Sequence, residues 1–368
     1  MRLLQRVKAR STLATLILVT CSLPLPAQTA PAAAAGSSPA TQVRDGQHDF
    51  EPLLGGWRYH LKRRLNPLTG STTWVDFDGT GICYLVWDGR AELDTIEVDG
   101  SGGHIEGLTL RLYNPQSRQW SLYWSNARIG SVDPPQIGEF KDGHGDFYAT
   151  DTPLGRSILV RFDWSRTTTS APHFEQAFSE DGGNTWEVNW ITDQTRLPTA
   201  EAENAVPVAN AKPAEQHDFD FEFGSWKAHI RRLAHPLSGQ NDWVDLDGTS
   251  TVRKIWNGRA NLGELEVGNA TTHLEGLSLR LYNPKSRQWG IYWANSAEGR
   301  LGPAMVGGFK DGRGEFYDHE MFQGKAVFVR FIFSDITPAS FHFEQAFSQD
   351  GGRTWETNWI ASFSREKP

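Results

Sequence analysis

Short apolar runs that alternate with polar residues fill most of the chain, and turn residues separate them at regular intervals. Within residues 47–196 the alternation has a period of two, which is typical of β-strands with one buried face. It predicts strands near 57–65, 73–77, 80–87, 91–98, 104–113, 118–126, 136–141, 144–150, 156–165, 172–179 and 185–195. Turn pairs such as Asp88-Gly89 and Asp142-Gly143 lie between them. No segment keeps a 3.6-residue period, so the pattern predicts an all-β domain of about ten antiparallel strands, closed into a barrel that has no exposed edge.

The same pattern occurs twice without a gap. The segment Gln47–Phe50 reappears as Gln216–Phe219, and Trp57 recurs as Trp226, an offset of 169 residues. The same offset relates Trp74 to Trp243, Trp87 to Trp256, Arg111 to Arg280, Trp124 to Trp293, Phe174 to Phe343 and Trp190 to Trp359. This period is far longer than a solenoid repeat or a propeller blade. The chain therefore contains two tandem copies of one complete domain.

Segments without strand periodicity flank the two copies. Residues 28–46 are rich in Ala, Ser and Pro, and residues 197–215 in Ala, Pro, Glu and Asn, so both are predicted to be flexible linkers. Residues 1–27 combine a basic start, a short apolar stretch and small residues, which is typical of a secretory signal peptide. We therefore expect β-barrel domains at 47–196 and 216–365 in an exported protein, either periplasmic or secreted.

The two cysteines bear on the way the protein is exported. Cys21 follows Leu18-Val19-Thr20, which is similar to a lipoprotein processing box, so a lipid anchor at Cys21 in the outer membrane is the alternative to cleavage after Ala27. In either case Cys83 has no disulfide partner and is expected to be a small buried apolar residue.

Charge excludes some classes of partner. The formal net charge is -8, and removing the four basic residues of the predicted leader leaves -12. An acidic surface disfavours nucleic acid and anionic membranes as partners. The mature chain has no predicted transmembrane segment. No nucleophile elbow, phosphate loop or metal-binding spacing occurs, and we expect neither a metal nor a cofactor.

The ends of the two domains carry a further motif. Gly55-Gly56-Trp57 begins the first strand and Arg196 ends the last, and the second copy has Gly224-Ser225-Trp226 and Arg365. In these residues the chain resembles the lipocalin and fatty-acid-binding (calycin) superfamily. The preceding His48-Asp49-Phe50 and the start of the barrel resemble a bacterial lipocalin-like family that is distantly similar to the nitrobindins. The resemblance implies two tandem lipocalin-like barrels, each closed at one end by a Trp beneath an Arg, so these residues are interpreted as structural. It also implies haem as a minor alternative, although no histidine here maps onto the ligand of that family.

A second motif occurs once per copy. Ser179–Trp186 and Ser348–Trp355 fit the pattern Ser-x-Asp-x-Gly-x-Thr-Trp of sialidase-type propellers. A propeller requires one such box per blade of about 50 residues, which the offset of 169 residues excludes. Each box is therefore predicted to stabilise a β-hairpin.

Polar residues on apolar strands are the candidates for a site. If they face the barrel interior, they would fix the polar head of a ligand while aromatic rings hold its tail. The alternative is that Leu110 and Leu112 take the inner face and Arg111 points outward. The candidate ligand-binding residues are Arg111, Arg161, Gln176 and Trp190 in the first copy and Arg280, Arg330, Gln345 and Trp359 in the second.

These features predict an exported protein that binds a small apolar or aromatic ligand. One alternative is a cofactor-independent hydrolase, lyase or isomerase that uses Glu, His and Arg inside a barrel. Another is a carbohydrate-binding module in which some of the fifteen tryptophans are exposed platforms.

Overall fold

The computed structural model describes residues 44–152, 155–198 and 217–366. Both copies belong to one compact unit. The predicted signal peptide, Cys21 and nearly all of both predicted linkers lie outside the described residues. No helix in the described part of the chain is both long and apolar enough to cross a membrane.

The first copy is a closed barrel of ten antiparallel strands, as predicted. The strands are β1 (Gly55–Arg64), β2 (Trp74–Val86), β3 (Ala91–Gly100), β4 (Gly103–Asn114), β5 (Gln119–Asn126), β6 (Gln136–Lys141), β7 (His144–Asp151), β8 (Ile158–Ser165), β9 (His173–Ser179) and β10 (Glu187–Arg196). Each strand pairs with the next in the chain, and β1 closes the barrel against β10.

The second copy repeats this architecture. Its strands are β11 (Gly224–Leu233), β12 (Trp243–Ile255), β13 (Ala260–Gly268), β14 (His273–Asn283), β15 (Gln288–Asn295), β16 (Ala304–Lys310), β17 (Arg313–Phe322), β18 (Lys325–Ser334), β19 (Ser340–Ser348) and β20 (Glu356–Arg365). The fold class is thus confirmed for both copies.

One detail of the strand prediction is wrong. The pattern predicts a break near residues 78–79, yet β2 runs through it without interruption. Gly79 pairs with Tyr59 on one side and Val98 on the other, and a Cβ on Gly79 would collide with the carbonyl oxygen of Glu97. Glycine therefore permits the close approach of two strands at this point and does not end the strand.

The plug of each barrel has the predicted structure. Trp57 is buried, and its Nε1 donates a hydrogen bond of 2.5 Å to the carbonyl of Leu53. The Arg196 guanidinium lies 4.0 Å from the centre of the Trp57 ring and donates to the carbonyls of Pro52 and Leu54. Arg365 covers Trp226 in the same way at 4.1 Å. Aromatic stacking and satisfied carbonyls close this end of both barrels.

The outer face of β3–β5 is apolar because the second barrel covers it. Leu108, Leu110 and Leu112 point outward and are nevertheless fully buried. They belong to one buried cluster, the inter-barrel core, which contains Val86, Trp87, Ala91, Leu93, Leu108, Leu110, Leu112, Tyr123, Ala127, Ile255, Trp256, Ala260, Leu262, Leu277, Leu279, Leu281, Tyr292 and Ala294. The two barrels therefore share a hydrophobic core, beyond the covalent link between them.

Polar contacts around the inter-barrel core are reciprocal. Arg90 donates hydrogen bonds of 2.7 and 2.6 Å to the two carboxylate oxygens of Glu275, and Arg259 pairs with Glu106. The offset of 169 residues relates Arg90 to Arg259 and Glu106 to Glu275. The same patch of each copy therefore meets its equivalent on the other, which is the arrangement of a twofold dimer.

Candidate ligand cavities

Each barrel encloses a cavity. The cavity in the first barrel, cavity 1, has a volume of about 300 Å³, and cavity 2 in the second barrel has about 340 Å³. Both volumes fall at the lower end of the range for small-molecule sites. The aromatic lining is Tyr59, Trp124, Phe162, Trp164, Phe174, Phe178 and Trp190 in cavity 1, and Trp293, Phe331, Phe333, Phe341, Phe343, Trp359 and Phe363 in cavity 2.

The loop between β5 and β6 forms part of the opening of cavity 1. Ile129, Asp133 and Pro134 line the cavity, and Ile129 and Pro134 are exposed, which places them where the cavity meets solvent. We call residues 127–135 mouth loop 1. Its counterpart, residues 296–303 between β15 and β16, is mouth loop 2.

A buried polar cluster lies at the deep end of cavity 1. Arg111 is fully buried, and its Nη2 donates to Asp94 Oδ2 at 2.8 Å while its Nη1 lies 3.4 Å from Glu92 Oε2. Tyr59 donates its hydroxyl to Asp94 Oδ1 at 3.0 Å, and Cys83 Sγ lies 3.5 Å from Arg111 Nη1. Of these residues Tyr59 and Asp94 line the cavity. Arg111 is therefore inside the barrel, as its candidate role requires, but Asp94 stands between it and a ligand.

Burial sets the protonation of this cluster. It raises the pKa of Glu92 to about 7, with Arg111 partly opposing the shift, and it also raises the pKa of Asp94. Burial lowers the pKa of Arg111, but Asp94 and the other acidic groups around it more than reverse this and raise it above its usual value. Arg111 thus stays charged, and the short bond to Asp94 neutralises it. Glu92 gains or loses its proton near neutral pH.

Cys83 is an inert thiol. It is buried, and burial together with Glu92 raises the pKa of the thiol well above its usual value. The reactive thiolate form is therefore suppressed. Cys83 is buried, as predicted, but its Sγ contacts the charged groups of Glu92 and Arg111.

The second barrel neutralises its buried arginine, Arg280, with different residues. The positions of Tyr59, Cys83, Glu92 and Asp94 hold Ala228, Val252, Asn261 and Gly263. Arg280 Nη1 instead pairs with Glu222 Oε2 at 2.6 Å and donates to Asn261 Oδ1 at 3.0 Å. Glu222 comes from the 3-10 turn Asp220–Glu222 that precedes β11. Because no acidic side chain occupies the position of Gly263, Arg280 itself lines cavity 2.

The predicted Gln and Trp residues lie in the cavities. Gln176 and Trp190 line cavity 1, and Gln345 and Trp359 line cavity 2. Gln176 Nε2 donates to Asn189 Oδ1 at 2.6 Å, so its orientation is fixed by a neighbouring strand. These side chains can contact a bound molecule.

Arg161 and Arg330 occupy the other face of their strands. Val160 and Phe162 line cavity 1, so alternation directs Arg161 to the outside of the barrel. Its guanidinium lies 4.9 Å from the centre of the Trp186 ring, and Arg330 stacks on Trp355 at 4.5 Å. Neither arginine lines cavity 1 or cavity 2. Their stacking partners are the last residues of the two Asp boxes.

The Asp boxes form the predicted hairpins. Asp181 accepts hydrogen bonds from the backbone N–H and hydroxyl of Thr185 and from the Ser179 hydroxyl. These donors lower the pKa of Asp181 to about 2. The box therefore organises a turn, and its hydrogen bonds occupy the Asp181 carboxylate.

Sequence reasoning missed one acidic group at the opening of cavity 1. Burial, with a contribution from Asp151, raises the pKa of Asp133 to about 6, and both residues line cavity 1. Asp133 stands in an Asp-Pro-Pro loop, a context that predicts only a turn. Nothing in the local pattern shows that the loop folds over a cavity.

One group among the described residues has the composition of a metal site. Ligand atoms of Glu97, His104 and Glu106 lie within 4.8 Å of one another. The site is close to the inter-barrel rim, where Arg259 already pairs with Glu106. The arginine supplies the positive charge that a cation would otherwise provide.

Comparisons with known proteins give distant structural neighbours. A scan against protein-family models finds no match, and a search of the curated proteins finds none either. The S-type phycobiliprotein lyase CPES from Guillardia theta matches with a TM-score of 0.29 and 12% identity over 43% of this chain and 99% of its own. A protein of unknown function of the DUF3598 family from Nostoc punctiforme matches with a TM-score of 0.24 and 10% identity over 88% and 100%. A double mutant of transferrin binding protein B from Haemophilus parasuis matches with 0.18 and 7% over 85% and 76%. None of these similarities assigns a ligand or an activity to this chain.

Proposed function

We propose that this chain is a binding protein that holds one small apolar or aromatic molecule in each barrel. The observation that carries the proposal is the pair of barrel interiors, which are lined by aromatic rings and leave cavities of about 300 and 340 Å³. A barrel that served only as a scaffold could fill this space with side chains, and close packing would favour that.

The deep ends of the cavities differ in polarity. Cavity 1 presents the carboxylate of Asp94 and the Tyr59 hydroxyl, whereas cavity 2 presents the Arg280 guanidinium beside Glu222. A ligand that donates a hydrogen bond suits cavity 1, and a ligand that accepts one suits cavity 2. The two barrels are therefore proposed to prefer different ligands.

The burial of tryptophan favours this function over carbohydrate binding. A glycan platform needs an exposed ring, and none of the fifteen tryptophans, all of which belong to the described residues, is exposed. Seven of the fifteen rings are buried and the other eight are half-buried.

Acid–base catalysis in cavity 1 is a second candidate, favoured by Asp133. A carboxyl with a pKa of about 6 at the opening of an apolar cavity can exchange protons near neutral pH. This candidate requires turnover that Asp133→Asn abolishes. A binding protein would keep its ligand in that variant.

Export and kinship with the lipocalins remain part of the proposal. The predicted leader falls outside the described residues, so the mature N-terminus is the test. Intact mass would show either a chain that begins after Ala27 or a lipid on Cys21, and a retained leader would reject export.

Native mass spectrometry of the purified chain tests the main proposal. We expect bound small molecules at up to two per chain. Thr109 and Ser278 are equivalent positions that line cavity 1 and cavity 2, so Thr109→Trp and Ser278→Trp should each remove one molecule. Lys62→Trp, on the exposed outer face of β1, is the control. An empty parent chain that also binds no apolar dye would reject the proposal.

A further inference from the structure

We infer that each cavity mouth is built partly by the other barrel, through one tyrosine that crosses the interface in each direction. Tyr292 of the second barrel positions mouth loop 1, and Tyr123 of the first barrel positions mouth loop 2. This inference rests on the proposed function and adds that ligand binding in each barrel depends on the other.

Mouth loop 1 is held in place from the second barrel. The backbone N–H of Val132 donates to the Tyr292 hydroxyl at 3.4 Å, and the Val132 side chain packs against the inter-barrel core. Gly130, with φ of 62°, lies so close to Tyr282 that a Cβ would collide with the Tyr282 carbonyl oxygen. The residues beside these contacts, Ile129 and Asp133, line cavity 1.

The reverse contact has the same form. The N–H of Leu301 donates to the Tyr123 hydroxyl at 3.1 Å, and Leu301 packs against the inter-barrel core. Gly299, with φ of 58°, leaves no room for a Cβ beside the carbonyl oxygen of Tyr113. Gly302 and Pro303 follow in the same loop and line cavity 2. The same contact is therefore made in both directions across the interface.

The same strands carry the cavity walls. Tyr292 lies on β15 between Ile291 and Trp293, which line cavity 2, and Tyr123 lies on β5 between Leu122 and Trp124, which line cavity 1. A ligand that moves the wall of one cavity therefore moves the hydroxyl that holds the mouth of the other. By thermodynamic linkage, a ligand in cavity 1 changes the binding free energy of cavity 2 by the same amount as a ligand in cavity 2 changes that of cavity 1.

The first test measures the loops without any ligand. In the full chain, Tyr292→Phe removes the hydroxyl that accepts from Val132, while the ring stays in the inter-barrel core. We expect faster amide hydrogen exchange across residues 127–135 and no change across 296–303. Tyr123→Phe should give the opposite result. Tyr148→Phe, on an exposed side chain remote from the inter-barrel core, is the control.

The second test measures binding of N-phenyl-1-naphthylamine, an uncharged apolar dye, in chains in which a tryptophan substitution fills one of the two cavities. In the Ser278→Trp background only cavity 1 can bind the dye. Here Tyr292→Phe should raise the Kd about threefold to tenfold, the usual effect of one lost hydrogen bond. In the Thr109→Trp background only cavity 2 can bind the dye, and the same substitution should leave the Kd unchanged. Tyr123→Phe should show the mirror pattern.

The outcomes separate the inference from the proposed function. Effects confined to the tyrosine's own barrel, or unchanged exchange in the opposite loop, would overturn the inference while leaving ligand binding intact. A parent chain that carries no molecule in native mass spectrometry and binds no dye would reject the proposed function. The exchange experiment would still decide whether each mouth loop is held by the other barrel.

Discussion

At the scale of single residues, the interior of the first barrel carries charge at positions where strand periodicity predicts hydrocarbon. Arg111 is buried among two carboxyl groups, and the apolar residues beside it face the other barrel. A buried ion is costly unless it is paired, and the Asp94 carboxylate supplies that pairing. Glu92 is the surplus acid, so its protonation links stability to pH.

We expect Glu92→Gln to flatten the dependence of stability on pH. The pKa of Glu92 is about 7 in the folded chain against a usual 4.5, so the folded state retains a proton that the unfolded state releases. This contribution is fully present below pH 4.5 and is lost as the pH rises through 7. The variant should therefore gain roughly 3 kcal/mol on the parent between pH 4 and 8.

Urea unfolding at several pH values in that range measures this change. Exposed Glu139 on β6 provides the control, because Glu139→Gln should follow the parent curve. If Glu92→Gln also follows the parent curve, the pKa of Glu92 does not change on folding and the account of the cluster is wrong.

At the scale of strands, periodicity predicts their existence well and their orientation poorly. Arg111 and Arg161 both stand between apolar residues on apolar strands, yet the first points inward and the second outward. The difference arises because the outside of β4 is covered by the second barrel, whereas Arg161 on β8 stacks on a partly exposed tryptophan. No local pattern contains that information. By contrast, the resemblance of the end motifs predicted the pairing of Trp57 with Arg196, and the structure pairs these residues across β1 and β10.

Two adjacent glycines in β16 offer a matched test of strand geometry. A Cβ on Gly307 would collide with the carbonyl oxygen of Glu315, whereas a Cβ on Gly308 would meet nothing within 4 Å. The first barrel has Gly138 and Glu139 at these positions, which agrees with that difference. We expect Gly307→Ala to destabilise the chain by about 1–3 kcal/mol, the usual range for overpacking.

Gly308→Ala should be neutral or stabilising by up to about 1 kcal/mol, because alanine restricts the unfolded chain. Thermal or urea unfolding of both variants decides the matter. Equal effects of the two substitutions would show that the strands at β16 and β17 are further apart than described.

At the scale of the whole molecule, the two barrels are arranged as a symmetric dimer joined into one chain. Leu110 and Leu279 are equivalent, fully buried members of the inter-barrel core, and the ion pairs of Arg90 and Arg259 flank it. The sequence shows the duplication plainly but not the docking, since apolar outward positions on β4 are indistinguishable from inward ones. The candidate cavities were predictable as barrel interiors, whereas their mouths depend on contacts that only the assembled pair makes.

If the inter-barrel core holds the barrels together, the peptide link between them is dispensable after folding. A protease site placed between Pro198 and His217 allows the folded chain to be cut, and the two halves should still co-migrate in size-exclusion chromatography. Leu110→Asp should separate them, because it places an unpaired charge in a buried apolar interface, at a cost of several kcal/mol. Ile137→Asp, on the exposed face of β6, should leave the cut halves together. If the cut halves separate without any further substitution, the inter-barrel core alone does not hold the barrels together and the peptide link is needed to keep them in contact. Each mouth loop would then lose its contacts with the other barrel whenever the two barrels separate.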